Sequence, residues 1–147
     1  MVASSARSEL VGRERELADL EAGLDDALAG RGRSFLIRGE PGIGKTRLAD
    51  EIALVASQRG ARALWGRCSE AGGAPAYWPW VQILRSVVLE CDPQALASQP
   101  VGRLVHVAQI LPELRDRLPE VLGPPLPPVE SEHARFYLFD AVTCLLK

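Results

Sequence analysis

Apolar positions along the chain follow two periods. Leu17, Leu20, Leu24 and Leu28 recur every three or four residues, which predicts a helix over about residues 13–29 with Gly30 as its stop. After a charged Arg31-Gly32-Arg33 connection, Ser34-Phe35-Leu36-Ile37-Arg38 reads as a short buried strand. Leu48, Ile52, Val55 and Ala56 return to helical spacing over about residues 44–59, and Gly60 is the natural cap. Arg62–Arg67 then reads as a second short strand. Strand, helix and strand in this order predict a right-handed βαβ unit with parallel strands.

The second half is patterned for helices. Tyr77-Trp78-Pro79-Trp80 opens a helix reaching about Glu90, with Pro79 suited to its first turn. Val81, Leu84, Val87 and Val88 are its predicted buried face, and Cys91-Asp92-Pro93 ends it. Residues 94–118 read as short helices broken at Pro100 and Pro112, with Leu104, Val105, Ala108 and Leu111 on the apolar face of the longer one. Gly73 lies in a loop at residues 71–75, and the Pro-rich stretch at residues 123–128 is an exposed connection. Ser131 is a candidate N-cap. The last helix, about residues 132–146, is predicted to bury Phe136, Phe139, Val142, Leu145 and Leu146. Residues 1–8 are expected to be a flexible tail, and no internal repeat is evident.

Between the first strand and its helix stands Gly39-Glu40-Pro41-Gly42-Ile43-Gly44-Lys45-Thr46, with Arg47 next along. This fits the phosphate-binding pattern G-x-x-x-x-G-K-[ST]. The glycines let successive backbone N–H groups turn toward a polyphosphate. Lys45 supplies a compact charge to the β and γ phosphates, Thr46 a hydroxyl to Mg²⁺, and the following helix its positive end. By chance a chain of this length matches about one time in a hundred or less. Lysine usage sharpens the reading. The chain carries 17 basic residues, yet its lysines are Lys45 and Lys147 alone. The one internal lysine stands where a wide guanidinium fork fits poorly.

Composition narrows the classes. The chain has 147 residues, one domain's length, with 47% hydrophobic and 24% charged residues and a net charge of -2. That balance excludes general disorder and gives no bulk electrostatic case for nucleic-acid binding. No apolar run has transmembrane length and no signal peptide is read, so a cytoplasmic location is expected. Cys68, Cys91 and Cys144 lack metal-ligand spacing and read as buried reduced thiols.

Other residues have bland alternatives. Val11-Gly12-Arg13-Glu14 is either a nucleotide-lining turn or a helix start in which Glu14 and Glu16 favour the dipole. Trp78 and Trp80 favour core or rim packing over a ligand surface. His106 and His133 have no partner at ligand spacing. Glu113, Arg115, Asp116 and Arg117 read as a solvated face, and Glu40 as solvent-facing or structural rather than a base. No apolar run ends in Asp-Asp or Asp-Glu, the acidic strand that holds Mg²⁺ and positions water in hydrolytic phosphate-loop domains. Poor hydrolysis by this chain alone is therefore expected. A chain cut before that strand is expected too, with marginal stability and self-association through an open sheet edge and the last helix.

Four features in order resemble the N-terminal part of bacterial AAA+-like signal-transduction (STAND-type) ATPases, closest to large ATP-binding LuxR-type transcription regulators. They are Leu10–Glu14 with its leucine-striped helix, the Gly39–Thr46 loop, Trp65-Gly66-Arg67-Cys68 with Tyr77–Trp80, and Arg135–Val142. The resemblance spans residue 10 to the end. It implies an α/β fold: an incomplete AAA+-like phosphate-loop NTPase, three-layered, with a short parallel sheet flanked by helices over residues 9–147. It implies ATP and Mg²⁺ as cofactors, with Val11, Gly12 and Arg13 near adenine and ribose, and Gly42, Gly44, Lys45 and Thr46 on phosphate and metal. The implied partners are the nucleotide and the rest of a parent protein or its regulators, with no direct DNA contact. A small-molecule kinase and a non-catalytic interaction domain with a vestigial loop are the competing readings.

Overall fold

The computed structural model describes residues 12–68, 73–124 and 132–146. The eight helices assigned among them are α1 (Glu14–Leu28), α2 (Lys45–Gln58), α3 (Trp78–Glu90), α4 (Pro93–Ala97), α5 (Val101–Ile110), α6 (Glu113–Arg117), α7 (Pro119–Leu122) and α8 (Glu132–Leu145). None is long and apolar enough to cross a membrane. The chain divides into two compact units, Met1–Ala63 and Leu64–Lys147.

In the first unit α1 packs on α2. Their buried apolar residues are Leu20 and Leu48. Gly30 and Gly60 follow the two helices in the left-handed conformation (φ 80° and 79°), as their predicted stops require. Asp26, in the last turn of α1, accepts from Arg31 at 2.6 Å and Arg33 at 2.5 Å, which fixes the path of the chain leaving the helix. Arg59 pairs with Asp25 and ties the end of α2 to α1. Gly23, buried in α1, makes room for the Phe35 ring: a Cβ there would lie 2.3 Å from Phe35 Cε2.

The predicted α/β fold with a short parallel sheet is not what forms. The structure is helical, with no strand among the described residues, so neither Ser34–Arg38 nor Arg62–Arg67 is a strand and there is no βαβ unit. A helix closes its backbone hydrogen bonds within itself, whereas a strand exists only with a ladder partner. Ser34–Arg38 has none among the described residues. Its apolar side chains, read as buried, are open to solvent, with Leu36 76% exposed.

In the second unit the run ending at Arg67 is held by a side chain instead of a strand. Gln82 Nε2 donates to the Arg67 carbonyl at 2.8 Å, and the Arg67 N–H donates to Gln82 Oε1 at 3.3 Å. The amide thus stands in for one rung of a ladder. Gly66 allows the close approach, since a Cβ there would lie 2.5 Å from the Pro79 carbonyl oxygen. That obstacle is backbone at the start of α3 and cannot swing aside. Gly66→Ala is expected to cost about 1–3 kcal/mol and to lower the melting temperature by roughly 5 °C or more. An unchanged thermal melt would contradict this packing.

The core of this unit joins α3 through α8, and α8 packs on α5. Val81, Leu84, Val87 and Val88 are all buried, as their spacing predicts, with Pro79 in the first turn of α3. Asp92 caps α4 by accepting from the Gln94 N–H at 3.1 Å. Helices break at Pro100 and Pro112 as read, and a further short helix, α7, follows Pro119.

Three readings need correction. α8 does not bury Phe136 and Phe139, which are 69% and 53% exposed; Leu138, Ala141 and Val142 face the core instead. The helix has apolar residues on two faces, and periodicity alone does not choose between them. Glu113, Arg115 and Arg117 are not merely a solvated face. Arg117 Nη2 donates to the Cys91 carbonyl at 2.8 Å, Arg115 Nη1 to the Leu122 and Gly123 carbonyls at 3.1 Å, and Glu113 pairs with Arg85. The two arginines serve carbonyls left without partners at helix ends. Cys68 is exposed rather than buried, with Cys91 and Cys144 half-buried.

The aromatics pack as rim residues. Trp78 lies against the core, and Trp80 is half-exposed. His106 stacks on Tyr137 with ring centroids 5.5 Å apart, which is a packing role. Ser131 and the stretch at residues 125–130 lie outside the described residues.

Candidate phosphate-binding site

The site is built on one turn and one helix start. Gly42 and Gly44 both adopt positive φ, 81° and 94°, a region that side-chain-bearing residues rarely enter. Between them the chain reverses, and the Ile43 N–H donates to the Glu40 carbonyl at 3.3 Å. Gly44 is the N-cap of α2, so the loop runs straight into the first helical turn. The leading N–H groups of that turn lack intrahelical acceptors and, with the helix dipole, form a positive end suited to an anion.

Lys45 does two things at once. Its Nζ donates to the Gly39 and Glu40 carbonyls, each at 2.9 Å, and so closes the loop into a ring. An ammonium has three donors, so one remains for a ligand. An arginine's flat fork could not bind two carbonyls of one tight turn and still present a donor across it. The glycine spacing also matters at Gly39, where a Cβ would lie 2.9 Å from Ile43 Cγ2. The loop therefore offers a polyphosphate a fixed cation and the N-terminal end of α2.

Beside the loop, still within the first unit, opens a cleft of about 300 Å³. Its polar lining is Arg13, Glu16, Asp19, Arg38 and Lys45, and its apolar lining includes Leu20, Phe35 and Ile43. Arg13 reaches both ways. Its Nη1 donates to Glu16 at 2.6 Å and its Nη2 to the Ile43 carbonyl at 3.3 Å. The Gly12 N–H donates to Glu14 Oε1 at 3.0 Å. These bonds act on the carboxyls. The Arg13 hydrogen bond and then its own N–H hold Glu16 below the ordinary glutamate value, and its own N–H followed by that of Gly12 does the same for Glu14.

The predicted site residues are thus partly gathered. Gly39 through Lys45 form the loop, and Arg13 joins it across 30 positions of sequence. Thr46 is exposed in the first turn of α2, and Arg47 lies 3.8 Å from Glu51 one turn on. Gly12 is outside the cleft lining, and Val11 lies outside the described residues. Asp19 and Arg38 were not singled out from the sequence, and Glu16 was read only as favouring the helix dipole. Positions 13, 16, 19 and 20 share one helix face, and that spacing was the available signal.

A family model described as an AAA ATPase domain matches residues 9–146. No curated protein and no solved structure matches the chain. The match takes in the loop, its helix and every helix assigned in the second unit, and on it the chain belongs to the AAA ATPase domain family as a nucleotide-binding, ATPase-like module.

Proposed function

We propose that the chain is the ATP-binding module of a bacterial regulatory ATPase of the STAND type, from a LuxR-type transcription regulator. The observation that carries this reading is the closed Gly39–Thr46 loop, in which Lys45 bonds the Gly39 and Glu40 carbonyls and keeps a donor for phosphate. The sequence order of Leu10–Glu14, the loop, Trp65–Cys68 with Tyr77–Trp80, and Arg135–Val142 supports the regulator assignment. Gly42, Gly44 and Lys45 take the phosphates, and the base and ribose lie on the α1 side, near Gly12. Thr46 would hold Mg²⁺ through its hydroxyl; the metal would neutralise phosphate charge.

The test is equilibrium binding of a fluorescent ATP analogue with Mg²⁺ to the full chain. We expect saturable binding that ATP displaces and that adenosine, lacking phosphates, does not. Absence of binding at millimolar analogue would refute the assignment, and equal displacement by adenosine would move the ligand off the phosphate loop.

A further inference from the structure

Ile43 stands between the two positive-φ glycines, and the peptide joining it to Gly44 leads directly into α2. A trans peptide is planar, and its C=O and N–H point opposite ways. Whatever fixes the Ile43 carbonyl therefore also aims the Gly44 N–H. An anion-binding loop needs that N–H turned inward. The group that fixes the carbonyl is the Arg13 guanidinium, and the Arg13–Glu16 bond in turn fixes the guanidinium.

We propose that Arg13 is a positioning residue: it latches the phosphate loop through the Ile43 carbonyl, with Glu16 as its anchor, and does not contact the nucleoside. This rests on the nucleotide-binding reading above. It differs from the role that family resemblance implies for the same residue, a contact near adenine and ribose. The planar fork is what makes the latch possible, because Nη1 serves the carboxylate while Nη2 serves the carbonyl. A lysine would have to serve both acceptors from one nitrogen, whereas the guanidinium meets each with its own. Glu14 accepting from the Gly12 N–H sets the direction from which the chain delivers Arg13. The lowered Glu16 carboxyl accords with an anchor that stays charged at neutral pH.

The experiment compares Mg²⁺-ATP with inorganic tripolyphosphate, which has no nucleoside, as ligands of the full chain. Arg13→Ala is expected to weaken both by the same factor, roughly three- to tenfold. Arg13→Lys should recover little of the loss. Glu16→Gln separates a latch from simple charge. It makes the site more positive, so a cation acting only through its charge would bind either anion more tightly in this variant. A latch whose anchor is now a neutral amide oxygen, a weaker acceptor for the guanidinium, binds both more weakly. Loss of ATP affinity with tripolyphosphate unchanged would place Arg13 on the nucleoside and overturn the proposal, as would tighter binding in Glu16→Gln or unchanged affinity in Arg13→Ala. Wild-type protein that binds neither ligand would refute the nucleotide-binding reading itself, a distinct result. Glu16→Gln keeps the Arg13 side chain and the apolar face of α1, so it remains informative if Arg13→Ala frays the helix start.

Discussion

Lys45→Ala is expected to reduce Mg²⁺-ATP affinity by roughly two to three orders of magnitude while leaving the fold intact. Two losses combine. The first is the charge-assisted hydrogen bond to phosphate, the stronger class of such bonds. The second is the ring closure, because the Gly39 and Glu40 carbonyls lose their shared donor and the loop must be ordered by the ligand instead. Stability should barely change, since both carbonyls are exposed and water replaces the ammonium. Lys45→Arg should fail nearly as badly as alanine, because retaining the charge does not restore a compact donor inside the turn. Fluorescence titration with an ATP analogue, alongside circular dichroism, checks both halves. Affinity within threefold of wild type in Lys45→Ala would detach the binding site from this loop.

Leu84→Ala should destabilise the chain by about 2–5 kcal/mol. Leu84 is 0% exposed and belongs to the cluster that joins α3 to α5, α6 and α8. Truncating it removes buried apolar surface and leaves a cavity that the surrounding leucines fill only in part. Helix propensity opposes the loss weakly, since alanine is a better helix former than leucine by a few tenths of a kcal/mol. Leu89, on the same helix and 64% exposed, is the internal control. Leu89→Ala should lie within about 0.5 kcal/mol of wild type. Urea unfolding followed by far-UV circular dichroism measures both variants. Equal midpoints for the two would mean that α3 does not bury the face described here.

The two units differ in how they are held, and that bears on the site. The second unit has a continuous apolar core with side chains closing its helix ends. In the first unit, Leu20 and Leu48 are the buried apolar residues among those described, and the remaining ties are polar and exposed. Exposed ion pairs contribute little each, about 0–1 kcal/mol. A loop on so light a frame depends on local devices for its shape: positive-φ glycines, the Lys45 ring and the Arg13 contact. Bound nucleotide would add its own stabilisation by mass action.

Much of this was readable from the chain alone, because it depends on neighbours in sequence. The spacing of Leu17, Leu20 and Leu24, the prolines at 79, 100 and 112, and Gly30 and Gly60 as stops act within a few residues, and the helices they predict are present. The phosphate loop is legible for the same reason, since glycine conformations and a lysine five or six residues from its acceptors are local chemistry. What the tertiary structure decided is non-local. Ser34–Arg38 has the composition of a strand, but a strand needs a partner's hydrogen bonds, and composition cannot supply one. α8 offers Phe136 and Phe139 on one side and Leu138 and Ala141 on another, and only packing on α5 chose the second. Arg115 and Arg117 read as solvated side chains, but the fold brings unpaired backbone carbonyls to them. Arg13 reached Ile43 in the same way, across a distance in sequence that no periodicity spans.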